Sequence, residues 1–162
     1  MKKYVTLALA VLMAFTTLTG CGASSDTAAT PSVTLQEFYD GLAEEYGWDD
    51  MTMAVIDPDI QATFYPGIEN VDTVEVIARA PMMSAVVSEL VLAECTDEEA
   101  ATALVAILEE RMSTQALGGA WYPSSMEAWG NAHVMQQGNY VALIASEEHQ
   151  AEIVAKWDAL FA

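Results

Sequence analysis

Between residues 71 and 161 the sequence repeats one order of elements, in which two strand-type segments precede a helix-type segment. The strand-type segments are residues 71–79 and 86–95 in the first half, and residues 132–137 and 140–145 in the second. Short apolar runs separated by turn residues pair as antiparallel hairpins. The order therefore predicts an α+β fold, with an antiparallel sheet of about four strands and with helices packed on one face.

Capping residues mark where the predicted helices begin. Thr34 with Glu37, and Thr96 with Glu99, fit the capping box, in which a hydroxyl and a carboxylate bond the first free N–H groups of a helix. Asp57 stands before Pro58, which suits an N-cap followed by a first-turn proline. N-terminal helices are thus expected at 34 and 57, a further helix at 96 and a last one that begins around 146.

The second hairpin has a clear turn signal. Gly138 and Asn139 separate two strand-type runs, and a two-residue connection of this kind favours a type II′ turn. Glycine is suited to the first position because it adopts a positive φ without steric cost. This pair is expected to fix the register of the hairpin.

The first twenty residues have the organisation of a secretory signal peptide. Lys2 and Lys3 form a basic start, and residues 4–18 are largely apolar. This run is shorter than the roughly 20 residues that a membrane-spanning helix needs. We therefore expect residues 1–20 to be removed rather than to remain as an anchor.

The end of this segment resembles the lipobox of bacterial prolipoproteins. The residues that carry the resemblance are Leu18, Thr19, Gly20 and Cys21. In that family a diacylglycerol is joined to the cysteine sulfur and the signal is cut before it, so the resemblance implies lipidation of Cys21. Two or more acyl chains hold a protein at a bilayer durably. The expected location is the extracytoplasmic face of a bacterial cell membrane, with residues 21–33 as a flexible tether and residues 34–162 as one acidic domain.

Charge and cysteine content limit the partners and the chemistry. The chain has 24 acidic and 5 basic residues, so its surface should repel nucleic acid and anionic headgroups, and the covalent lipid must provide the membrane contact. With Cys21 acylated, Cys95 is the remaining thiol and no internal disulfide can form. Glu94 and Asp97 flank Cys95, which favours a buried, inert cysteine because nearby carboxylates suppress the thiolate.

Three short motifs resemble one family over about residues 34–162. They are Tyr65-Pro66-Gly67, Pro81-Met82-Met83 and Gly138-Asn139-Tyr140-Val141. In this order they are similar to bacterial lipoproteins of the uncharacterised domain of unknown function 4358 family. The resemblance implies a lipid-anchored extracytoplasmic domain, and it brings no established activity and no catalytic residues.

No motif predicts catalysis, a metal site or a cofactor. His133 and His149 stand outside any recognisable triad pattern, and no Cys/His cluster has the spacing of a zinc site. Acidic residues at 49, 50, 57 and 59 lack the alternating ligands and central glycine of an EF-hand loop. We expect catalytic residues, metal ligands and cofactors to be absent.

Aromatic and methionine side chains form the best candidate binding surface. Its members are Trp121, Tyr122, Trp129, Met82 and Met83. Aromatic residues in a segment rich in Gly, Pro and Ser suit recognition of a peptide, a glycan or an envelope protein, but they also serve to cap a small core. The leading hypothesis is a non-enzymatic binding or accessory module. The alternatives are a hydrolase-like envelope enzyme and a cation-binding or cation-sensing lipoprotein.

The Cys21→Ser substitution tests the anchor. Because hydrocarbon rather than surface charge is expected to hold the protein at the bilayer, the variant should move from the membrane fraction to the soluble extracytoplasmic fraction. Cell fractionation and the intact mass of the purified protein measure this change. Equal membrane association of the variant, together with a wild-type mass that contains no lipid, would contradict the prediction.

Overall fold

A five-stranded antiparallel sheet organises residues 29–83 and 85–162, the part of the chain that the computed structural model describes. The strands are β1 Ala54–Val55, β2 Thr73–Ala80, β3 Ser88–Cys95, β4 His133–Gln137 and β5 Tyr140–Ser146. Their spatial order is β1-β2-β3-β5-β4. The α+β class and both predicted hairpins are confirmed. The additional strand, β1, pairs through two residues and is too short to give a periodic signal in the sequence.

Five α-helices accompany the sheet in the described residues. They are α1 Leu35–Tyr46, α2 Pro58–Phe64, α3 Glu98–Thr114, α4 Pro123–Gly130 and α5 Gln150–Ala159. The capping box at the start of α1 is confirmed, since the Glu37 N–H donates to Thr34 Oγ1 at 3.1 Å and the Thr34 N–H donates to Glu37 Oε2 at 3.0 Å. Gly47 ends α1 in the left-handed conformation, with φ 68°. Gly138 also has the expected positive φ, at 59°.

The other predicted helix starts need correction. Asp97 and not Thr96 caps α3, because the Asp97 carboxylate accepts the Ala100 N–H at 2.8 Å while the Thr96 hydroxyl donates to the Asp72 carbonyl oxygen. Asp57 occupies the N-cap position of α2, but its side chain makes no capping hydrogen bond.

The last helix, α5, begins later than predicted. Ser146 remains in β5, where its N–H donates to Gln150 Oε1 at 2.8 Å. The amide of the same glutamine donates to the Ile144 carbonyl oxygen at 2.9 Å. The Gln150 side chain therefore completes the hydrogen bonding at the end of β5. Because Ser146 belongs to the strand, α5 begins at Gln150.

Helices cover both faces of the sheet, which corrects the expectation of helices on one face. Leu104 and Leu108 of α3 pack on the face that contains Val91 and Leu143. The opposite face of the same two strands packs against α1 and α5, where Trp157 is fully buried. The reason is visible in β3 and β5, which are apolar at consecutive positions and so bury both faces, unlike a strand with one solvated side.

The described chain enters the fold at one end of the sheet, where β3 ends and β5 begins. Pro31 and Thr34 border a depression there together with Tyr140, and the Ser32 N–H donates to the Leu160 carbonyl oxygen at 2.8 Å. We call this the tether end, since it is where the segment from Cys21 joins the domain. The opposite end, at Ser88 and Ser146, is called the distal end. None of the helices in the described part of the chain is long and apolar enough to cross a membrane.

Cys95 is a free thiol and is fully buried at the end of β3. Burial is the main cause that raises its pKa from 9.0 to about 11, and the charges of Asp97 and Glu94 add to the increase. The folded protein therefore keeps the thiol proton at pH values where the unfolded chain loses it.

The consequence is a loss of stability in alkali. The free energy of unfolding should keep the contribution of this thiol below pH 9.0 and lose it as the pH rises towards about 11. In a Cys95→Ala variant this part of the decrease should vanish, as measured by urea unfolding at a series of pH values. Parallel stability curves for the wild type and the variant between these pH values would show that the thiol does not contribute.

Candidate functional site

Exposed apolar side chains gather at the distal end of the sheet. Trp121 is 88% exposed, and Met51 and Met82 are each 72% exposed. The Met82 N–H donates to the Met51 carbonyl oxygen at 3.3 Å, so the β2–β3 connection lies against the turn that follows α1. Met83 and Val86, in the same connection, are also exposed. We call these five residues the distal surface.

The β2–β3 connection separates two clefts at this end. One cleft, with a volume of about 300 Å³, is named the Arg111 cleft; Met82, Trp121 and Trp129 line it. The other, of about 380 Å³, is named the Tyr46 cleft, and Met83 lines it. Pro81 and Ser88 border both clefts. The adjacent residues Met82 and Met83 therefore line two different clefts.

A buried ion pair forms one wall of the Arg111 cleft. Arg111 Nη2 donates to Glu89 Oε2 at 2.7 Å, and Arg111 Nε donates to Glu89 Oε1 at 3.1 Å. The Tyr65 hydroxyl, which is fully buried, donates to the same Oε1 atom at 3.0 Å. Glu89 is only 4% exposed. Paired hydrogen bonds of this kind offset the free-energy cost of burying a charged carboxylate.

The core between α3 and the sheet positions these groups. Glu89 is in β3 and shares its face of the sheet with Val91, while Arg111 reaches it from the last turns of α3. The guanidinium carbon lies 5.3 Å from the ring centres of both Phe64 and Trp129. Rings over a guanidinium favour its charged form, so these two aromatic contacts and the carboxylate hold Arg111 from several sides.

The environment shifts the pKa of two groups in this cluster. Burial raises the pKa of the Tyr65 hydroxyl well above 10.0, and the charge and hydrogen bond of Glu89 raise it further. Burial acts to lower the pKa of Arg111, but the hydrogen bond and charge of Glu89 outweigh it and the net pKa is raised. Tyr65 is thus a neutral donor and Arg111 a permanent cation.

The arrangement suits binding better than proton transfer. Both oxygens of Glu89 already accept hydrogen bonds from Arg111, and one also accepts from Tyr65. A guanidinium has five N–H groups, of which two are directed to Glu89 here. Arg111 is 17% exposed, so its outer edge offers donors to an acceptor oxygen in the cleft.

The structure distributes the five candidate surface residues unevenly. Met82, Trp121 and Trp129 meet in the Arg111 cleft, although Trp129 is 5% exposed and belongs mainly to the core. Met83 lies in the other cleft. Tyr122 is half exposed and lines neither. The lipobox residues Leu18, Thr19, Gly20 and Cys21, together with the signal segment, lie outside the described residues.

Sequence reasoning did not identify Glu89, Arg111 or Tyr65 as site residues, although Tyr65 belongs to one of the three family motifs. A signal was present, since Glu89 shares the face of Val91 by the two-residue period of a strand and so points inward in an apolar run. An inward carboxylate needs a cation, and after Cys21 the sequence offers Arg79, Arg111 and Lys156. The sequence after Cys21 therefore limits the cationic partner of Glu89 to three basic residues.

The two histidines lie apart from this cluster. His133 is exposed at the start of β4, and the His149 ring stacks on Tyr46 at 4.2 Å. His149 Nδ1 lies 3.4 Å from Glu152 Oε2. Within residues 29–83 and 85–162, no three His, Cys, Asp or Glu side chains gather in a way that could hold a metal ion. Asp49 accepts the backbone N–H groups of Met51 and Thr52 in a local turn.

Comparison with protein-family models gives a match that spans the sheet. A family model described as Domain of unknown function (DUF4358) matches residues 48–146. The matched range contains the three motifs that suggested this family in the sequence, and it includes the complete sheet, whereas α1 and α5 lie outside it. No curated protein and no solved structure matches the chain at a significant level.

The Glu89→Gln substitution tests the buried ion pair. It keeps the shape of the side chain but leaves Arg111 without a counter-charge, and breaking a buried pair costs about 3–5 kcal/mol. Since Arg111 keeps some solvent contact, we expect the free energy of unfolding to fall by about 3 kcal/mol, as measured by urea denaturation.

The matched control is Glu45→Gln. It removes the partner of Lys156 from an exposed ion pair with a similar N···O distance, 2.8 Å. Exposed pairs contribute little to stability, so this variant should unfold close to the wild-type midpoint. Equal losses in the two variants would mean that burial of the Glu89 pair has no special importance.

Proposed function

Because the chain belongs to the family described as Domain of unknown function (DUF4358), we propose a function from its own geometry: a lipid-anchored extracytoplasmic module that binds a partner non-enzymatically through its distal end. The partner class that we propose is an envelope protein. The observation that carries the proposal is the gathering of exposed apolar side chains at the end of the sheet opposite the tether.

The anchor part of the proposal rests on residues 1–21. A basic start, an apolar run and Leu18-Thr19-Gly20-Cys21 follow one another in the order of a lipoprotein signal. The formal net charge of −19 makes attraction to anionic headgroups unfavourable, so a covalent lipid is the physical means that remains for membrane contact. Acylation of Cys21 would place the tether end towards the bilayer.

The binding part rests on the composition of the distal surface. Soluble proteins rarely expose large apolar groups in a cluster unless the cluster contacts something. Trp121 combines a large contact area with few rotatable bonds, which is typical of anchoring residues in interfaces. Met82 beside it is flexible and polarisable, so it adapts to varied surfaces. The outer edge of Arg111 supplies donors inside the cleft that these two residues border.

The non-enzymatic part rests on the state of Glu89. A general base needs a lone pair directed at its substrate. Glu89 instead accepts three hydrogen bonds from Arg111 and Tyr65. This cluster therefore supports a rigid wall of a binding cleft rather than a catalytic group.

Site-specific photo-crosslinking in intact cells tests the proposal. A photo-reactive amino acid in place of Met82 should give a discrete protein adduct, because a bound partner lies within reach of the distal surface. The matched position is Val74, which is 64% exposed at the tether end of β2 and should give no such adduct. Immunoblotting of the full-length protein measures the adducts.

A second substitution makes the test specific. Trp121→Ser should reduce the adduct yield at position 82 by about tenfold, since loss of an aromatic anchor costs roughly 1–2 kcal/mol in many interfaces. Its unfolding midpoint should stay near the wild-type value because Trp121 is exposed. Similar adducts from positions 74 and 82, or an unchanged yield in the Trp121 variant, would refute binding at the distal end.

A further inference from the structure

We propose that the Tyr46 cleft is a binding site for an organic ammonium cation, either a free small molecule or a lysine side chain of a partner. This inference goes beyond the proposed function, because it concerns the second cleft and does not depend on what covers the Arg111 cleft. The juxtaposition that carries it is a pair of aromatic rings and two carboxylates around one cavity.

The cleft lies between three parts of the distal end. The end of α1 and the turn after it supply Tyr46, Trp48 and Met51. The β2–β3 connection supplies Met83 on the opposite side. Its volume of about 380 Å³ is in the range of small-molecule sites, which extends from about 300 to 1,000 Å³. The space exceeds what a bare metal ion needs and suits a cation that carries an apolar body.

The aromatic wall is held in place before any ligand arrives. The ring centres of Tyr46 and Trp48 are 5.4 Å apart at an interplanar angle of 43°. His149 stacks on Tyr46 with ring centres 4.2 Å apart, and Tyr39 stacks on Trp48 at 6.3 Å. Ring faces carry partial negative charge and attract ammonium groups, so a fixed pair of rings favours a cation without reorganisation.

The charges that face the cleft are predominantly negative. Glu147 and Glu148 line it and are both exposed. The titratable groups beside them are Tyr46 and His149, and His149 Nε2 lies 3.8 Å from Glu148 Oε2. Among the residues that the structure describes, no arginine or lysine lines this cleft. A cation therefore meets the negative charges of Glu147 and Glu148 at the cleft wall.

Each basic side chain of the described domain already has an acidic or aromatic partner. Arg111 pairs with Glu89, and Lys156 pairs with Glu45. The third, Arg79, lies 4.5 Å from the ring centre of Tyr39. Burial raises the pKa of Tyr46, while the charge of Lys156 acts to lower it. The negative charge at the cleft therefore comes from Glu147 and Glu148, which favour a cationic ligand over an anionic or neutral one.

Soft side chains favour an organic cation over a hard metal ion. Calcium takes six to eight oxygen ligands, whereas the described residues that line this cleft include two side-chain carboxylates. Methionine and aromatic groups instead contact methyl and methylene groups well. A quaternary ammonium group, or the ammonium end of a lysine with its methylene stem, combines a positive charge with apolar carbon groups. The carboxylates and ring faces of the cleft suit the charge, and its methionine and aromatic side chains suit the carbon groups.

The test is an NMR titration of the full-length protein in mild detergent at pH 8 and low ionic strength, with the tryptophan indole N–H signals as readout. Choline serves as the free-cation probe, blocked lysine amide represents a partner side chain, and the neutral carbon isostere of choline controls for shape alone. Choline or blocked lysine should shift the Trp48 signal saturably, and the isostere should bind about tenfold more weakly.

Paired substitutions separate local contacts from the overall charge. The double variant Glu147→Gln with Glu148→Gln should weaken ammonium binding by about fivefold, because each exposed carboxylate contributes modestly. Glu99→Gln with Glu109→Gln removes the same charge from exposed positions of α3 outside the cleft, and should change binding by less than about twofold. A Tyr46→Leu variant, which keeps the Trp48 indole signal as readout and is checked for folding by its unfolding midpoint, should also bind more weakly.

The outcomes discriminate between the ligand sources and between the two proposals. Binding of choline alone supports a free quaternary ammonium ligand, and binding of blocked lysine alone supports a partner side chain. Absence of both shifts, equal binding of the neutral isostere, or equal effects of the two double variants overturns the inference. Crosslinking from position 82 reports on the Arg111 cleft independently, so failure here leaves that result unchanged.

Discussion

The pairing of β3 with β5 is the contact on which the rest of the structure depends. Each hairpin forms between neighbouring segments, but only this pairing, from Ser88 opposite Ser146 to Glu94 opposite Tyr140, joins the two hairpins into one sheet. Both strands are buried on two faces, so a slip of one residue would exchange the side chains that pack against α3 with those that pack against α1 and α5. It would also turn Glu89 away from Arg111 and remove the wall of the cleft.

Much of the fold follows from local sequence patterns. The capping box at Thr34, the turn glycine at Gly138 and both strand pairs were predicted, because each depends on residues that are close in the sequence. The placement of α3 and α5 on opposite faces was not predicted. The order of elements indicates that each helix packs on the sheet, but it does not indicate which face of the sheet the helix covers. Only the two-sided apolar character of β3 and β5 shows that both faces need to be covered.

The candidate site was less predictable because its groups meet through tertiary structure. Met82 and Trp121 were singled out and do share a cleft, yet Met83, one residue further, lines the other cavity. Glu89 and Arg111 are 22 residues apart, and their contact depends on the height at which α3 crosses the sheet. Burial of a charge pair is a property of the assembled core, so a charge pattern alone would not reveal it.

The position at which the chain joins the domain limits how far the distal surface can lie from an acylated Cys21. Ala29 lies eight residue steps after Cys21, and a chain of that length spans at most about 29 Å. Strand β2, with eight residues, adds about 25 Å from the tether end to the distal end. The distal surface of an acylated chain would thus stay within a limited distance of the bilayer. Confinement of this kind raises the local concentration of a membrane-bound neighbour that projects into the same layer.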